Sequence, residues 1–123
     1  MLFLLMANSE KLAFENVMAL TKSSERKFRK GDFKGSIEDK RKAKSILNSE
    51  VLGDEYYSMF EKELSNLYYS KFDLIFDHKL KLDETKINKI ASSLEQKSNE
   101  KYEIGDYKSA IKALRRSEKY LSK

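Results

Sequence analysis

Gly31-Asp32-Phe33-Lys34-Gly35-Ser36-Ile37 returns, 74 positions later, as Gly105-Asp106-Tyr107-Lys108-Ser109-Ala110-Ile111. The match reaches outward from that stretch. It pairs Ser24 with Ser98, Lys27 with Lys101, Phe28 with Tyr102, Arg41 with Arg115 and Leu47 with Leu121. Self-similarity at a fixed offset marks a supersecondary unit used twice. Glycine tolerates the left-handed conformation that ends a helix, and the aspartate after it can cap the N–H groups that begin the next. One Gly-Asp step can therefore join two helices in a tight antiparallel hairpin. The pair also occurs at Gly53-Asp54, so three of the four glycines are used this way.

Composition points to the same class. The chain has 123 residues, no proline, 37% charged residues and fourteen Phe and Tyr. A chain rich in Lys, Glu, Leu, Ser and Ala with so few breakers reads as all-α, and it is too apolar for a disordered tail. Its length suits one domain burying about two thirds of the unfolded surface. Cysteine is absent, which excludes disulfides, thiolate chemistry and zinc–cysteine sites and suits a cytoplasmic protein.

Five helices are expected, at about 9–30, 33–49, 54–80, 84–104 and 107–121. Asn8 or Ser9 would cap the first and Asp83 the fourth. The fifth has the cleanest stripe, with Tyr107, Ala110, Ile111, Leu114, Ser117 and Leu121 on one face. In the second helix Lys40 replaces the equivalent of Leu114, so that copy would pack with the lysine stem along the core and its head in water. The third helix carries Tyr56, Tyr57, Met59, Phe60, Leu64, Leu67, Tyr68, Tyr69, Phe72, Leu74, Ile75 and Phe76 over more than half its circumference. It is expected to be a long central helix covered on several sides, or alternatively a homodimer interface.

The expected organisation is a single helical domain over 1–123: a hairpin at 9–49, the central helix at 54–80 and a second hairpin at 84–121. Residues 1–8 are expected to be disordered or a start-site artefact, since Met6-Ala7-Asn8-Ser9 reads as a second start; an apolar cap on the first helix is the alternative. The apolar run Met1-Leu2-Phe3-Leu4-Leu5-Met6 is too short to span a bilayer, and no membrane partner is expected.

The hairpins resemble tetratricopeptide repeats. In the second copy Leu94, Ser98, Tyr102, the Gly105-Asp106-Tyr107 turn, Ala110, Ile111 and Leu114 fall where that family interlocks large and small residues, and Ser117 falls where it usually has alanine. In the first, the matching residues are Leu20, Ser24, Phe28, Gly31-Asp32-Phe33, Ser36, Ile37 and Ala43. The resemblance covers about half the chain. It departs from the family in lacking the closing proline, in Lys40, in the 74-residue offset and in the long middle helix. It implies a protein–protein adaptor, though two separated hairpins cannot form the extended groove of a full array.

Little suggests catalysis. His78 is the only histidine, near a predicted helix end where a cation suits the dipole, and the acidic pairs do not face each other. No glycine-rich phosphate loop is present. No enzyme activity and no cofactor or metal is therefore expected. The candidate partner-binding residues are basic: Lys22, Arg26, Arg29 and Lys30 on one face of the first helix, and Lys112, Arg115, Arg116 and Lys119 on the last.

Charge is uneven along the chain. Residues 1–53 hold eleven Lys/Arg against seven Asp/Glu, 54–95 six against nine, and 96–123 eight against four. Basic ends around an acidic middle suit another protein with an acidic segment, with nucleic acid ranked behind because the aromatics look committed to the core. The plain alternative is a solvated face opposite the core.

Overall fold

The computed structural model describes residues 2–49 and 52–122, with side chains from Ser9 onward. Six helices and no strand occur among the described residues: α1 (Leu2–Arg29), α2 (Phe33–Leu47), α3 (Asp54–Tyr68), α4 (Leu74–Lys79), α5 (Glu84–Glu103) and α6 (Tyr107–Leu121). The all-α class holds. The expected 54–80 helix does not: it is two helices, α3 and α4, separated by residues 69–73. Asp73 makes the break. Its carboxylate accepts the Ile75 and Phe76 N–H groups at 2.9 and 3.2 Å, which starts α4 afresh. Asn8 and Ser9 lie inside α1 and do not cap it. Met1, with any start-site role, lies outside the described residues, as do the apolar side chains of residues 2–6.

The two repeated turns have the same geometry. Gly31 and Gly105 have φ of +86° and +82°. At the first, the Gly31 N–H reaches the Phe28 carbonyl at 3.1 Å and the Asp32 N–H reaches Lys27 at 2.9 Å. At the second, Gly105 reaches Tyr102 at 3.0 Å and Asp106 reaches Lys101 at 2.9 Å. That is a Schellman closure, and it needs a residue free to be left-handed. The aspartates then cap α2 and α6 through the Gly35 and Ser109 N–H groups. An aromatic pair brackets each turn: Phe28 against Phe33 with centroids 5.7 Å apart, and Tyr102 against Tyr107 at 5.1 Å. Gly53 is different. It has no positive φ, and its carbonyl accepts the Tyr57 N–H at 3.3 Å as α3 begins.

The chain divides into two compact units, Met1–Phe60 and Glu61–Lys123, with the boundary inside α3. In the first, Val17, Ala43 and Leu52 are buried, with Phe14, Leu20, Ile46, Tyr56, Tyr57 and Phe60 packed against them. In the second, Ile111 is fully buried, with Ala91, Ala110, Ala113, Tyr68 and Tyr120 also inside. Burying one such Val or Ile side chain stabilises by about 1.5–3 kcal/mol.

The repeat sets the helix spacing through serine. The Ser24 and Ser36 side chains each donate to the other's main-chain carbonyl at 2.8 Å, and Ser98 donates to the Ala110 carbonyl at 2.7 Å. Such small buried side chains let two helix backbones approach. The copies differ in charge inside the helix pair: Asp39 is buried where α6 has Ala113. It accepts the Ser23 hydroxyl at 2.6 Å and the Lys27 ammonium at 3.1–3.2 Å, so the buried charge is satisfied. Lys40, expected to lie stem-down at the edge, is itself buried.

Candidate partner-binding surface

The α1 basic face follows from what the opposite face buries. Val17, Thr21, Ser24 and Glu25 turn inward, which leaves Lys22, Arg26 and Arg29 exposed, with Lys30 beyond the helix end also exposed. Glu25 approaches Arg29 at 3.8 Å, a long contact that leaves most of the guanidinium in water. Three or four cations thus share one solvent-facing stripe.

The α6 cluster behaves differently. Lys112 and Arg116 are exposed, but the other two cations are committed within their own unit. The Arg115 guanidinium lies 5.3 Å from the Tyr68 ring centroid, a cation–π distance. Lys119 donates to the Asp73 carboxylate at 2.9 Å and is only 25% exposed. The four residues therefore do not form one free basic face: two are open and two are held.

What holds them is a set of polar contacts between the end of α6 and residues 68–79. The Tyr68 hydroxyl donates to Glu118 at 2.7 Å. The Tyr69 hydroxyl bonds the Lys119 carbonyl and, at 3.1 Å, that of Ser122. Lys79 donates to the Tyr69 hydroxyl at 2.6 Å and also to the Ser122 carbonyl. His78 Nδ1 shares a hydrogen bond with the Tyr120 hydroxyl at 2.8 Å. The last carbonyls of a helix have no partner of their own, so Tyr69 and Lys79 cap α6 from outside. Burial pushes the Asp73 carboxyl up. The hydrogen bond from Lys119, the N–H groups of Phe76 and Ile75 and the nearby Lys119 charge outweigh it, and hold Asp73 below the usual aspartate value.

Sequence reading missed Asp73, Tyr69 and Lys79. The usable signal was an aspartate inside an aromatic-rich run, because aspartate favours helix starts over helix interiors. The same reading placed Phe72 and Leu74 in a buried helix, yet each is 82% exposed. Among the described residues no group of three or more His, Cys, Asp or Glu could hold a metal ion, and no helix is long and apolar enough to cross a membrane. Comparison with family models, curated proteins and solved structures found no match.

Proposed function

We propose that this chain is a small, non-enzymatic, tetratricopeptide-like interaction module that binds another protein through an acidic segment, and that it works in the cytosol. The exposed stripe of Lys22, Arg26, Arg29 and Lys30 carries the reading. The two hairpins, with their shared turn and serine contacts, support the scaffold half of it. The stripe favours a polyanion because its cations are exposed on one helix face, with Arg29 meeting Glu25 only at a long 3.8 Å, and such a surface speeds encounter with opposite charge.

The test is anisotropy of fluorescein-labelled hexaglutamate at low salt. Wild type binds, and the double variant Arg26→Glu, Arg29→Glu binds on the order of tenfold more weakly. Equal binding by both removes the α1 stripe from the site. A single-stranded RNA 20-mer bound more tightly than hexaglutamate, with affinity falling steeply in added salt, would put nucleic acid in the acidic segment's place.

A further inference from the structure

Residues 70–82 are joined to the rest of their unit in an unusual way. None of these thirteen residues is buried. Phe72, Leu74 and Leu80 point to solvent at 82, 82 and 71% exposure. Inward go the polar groups instead: Asp73 to Lys119, His78 to Tyr120, and Lys79 to Tyr69 and the Ser122 carbonyl. The strap lies on α6 by polar bonds and one edge-on ring contact, His78 against Tyr120, while Phe76 meets the Tyr69 ring with centroids 5.1 Å apart. The α5–α6 hairpin beneath it has its own core of Ala91, Ser98, Ala110, Ile111 and Ser117, and its own closed turn. Segments with little buried apolar surface open locally at much lower cost than the units they rest on.

We propose that this strap is an autoinhibitory contact, which docks and undocks on a hairpin that stays folded. While docked, Asp73 occupies Lys119 as an acidic partner would. Undocking frees Lys119 beside the exposed Lys112 and Arg116. Asp73 is thus an internal competitor, one carboxylate on one ammonium, and release changes the cluster's charge without altering the sequence. This inference rests on the acidic-partner reading above.

Asp73→Asn separates the parts, because asparagine caps a helix as well as aspartate does but carries no charge and offers Lys119 at most a neutral acceptor. Hydrogen exchange followed by mass spectrometry should show the amides of 70–82 exchanging on the order of tenfold or more faster than those of α5 and α6. Asp73→Asn should speed the strap alone. In the Arg26→Glu, Arg29→Glu background, where the α1 stripe no longer competes for the probe, hexaglutamate should bind the Asp73→Asn protein about three- to tenfold more tightly than the protein that keeps Asp73. Strap amides protected as strongly as the hairpin overturn the proposal, as does Asp73→Asn loosening strap and hairpin together. Equal hexaglutamate affinity for the two proteins overturns the autoinhibition alone. No binding by the wild-type protein at low salt overturns the acidic-partner reading and the autoinhibition with it.

Discussion

The Ser98 hydroxyl donates to the Ala110 main-chain carbonyl at 2.7 Å, across the interface between α5 and α6. Ser24 and Ser36 make the same contact between α1 and α2, at 2.8 Å. Both donors are buried, so each hydroxyl keeps its hydrogen bond by reaching a helix backbone directly. The bond and the close approach are one feature, since a longer side chain would hold the helices apart.

Ser24→Ala and Ser98→Ala should each cost about 1 kcal/mol, the usual net value of one hydrogen bond. Ser98→Leu should cost about 1–3 kcal/mol or more, because the helices must separate to admit it. Urea unfolding followed by helical circular dichroism measures both. Leucine tolerated as well as alanine would mean that the close approach is not needed.

The glycines separate cleanly by backbone conformation. Gly31→Ala and Gly105→Ala place a side chain in the left-handed region and should each cost about 1–2 kcal/mol. Gly53→Ala has no such strain, and the Cβ would meet only the Glu10 carboxylate near 4 Å, so it should be close to neutral. At Gly35 an added Cβ would crowd the Asp32 carboxylate. The repeat already supplies the answer there, because Ser109 occupies the equivalent place and Asp106 still caps it at 3.2 Å. Gly35→Ala should therefore fall within about 0.5 kcal/mol of wild type, the better helix propensity of alanine offsetting a shifted cap. Thermal midpoints of the four variants check the order.

Asp39→Ala makes the first copy match Ala113 of the second. It removes the buried acceptor of Ser23 and Lys27. Lys27 is 39% exposed and can turn to water, so the loss should be about 1–2 kcal/mol and short of the 3–5 kcal/mol expected for stranding a deeply buried charge. A loss of the larger size in urea unfolding would show that Lys27 cannot escape.

Acid should weaken the fold. Asp106 is held below the usual value by hydrogen bonds from the Ser109 side chain and N–H, aided by the Lys101 charge; Asp73 is held below it as described above. Both titrate lower folded than unfolded, where aspartate titrates near 3.9. The unfolded chain binds their protons more readily, so their contribution is full above about pH 5 and is lost as pH falls through the unfolded and then the folded values. Urea midpoints at pH 7 and pH 3 should differ by less in Asp73→Asn than in wild type. An equal drop in both would remove Asp73 from the acid response.

The hairpins were legible because their signals are local. Glycine then aspartate fixes a left-handed residue and a cap within two positions, so α5 ends within one residue of where the sequence puts it and α6 begins at the expected place, while Asp83 marks the start of α5. The break before α4 was not legible. Asp73 stands among Tyr68, Tyr69, Phe72, Leu74, Ile75 and Phe76, and periodicity weighs apolar residues without knowing which find a partner. Half of the α6 cluster was misjudged for the same reason: nothing near Arg115 or Lys119 in sequence foretells Tyr68 or Asp73 beside them.

The serine bonds that join each helix pair link residues only 12 apart in the chain, and the turns between them close over still shorter spans. Loops that short cost little entropy to form, and chains dominated by such contacts fold quickly. The duplication thus gives the chain two separate folding seeds. During synthesis the first hairpin has every residue of its turn in place before Gly105 has been added, and can set its register without waiting for the second.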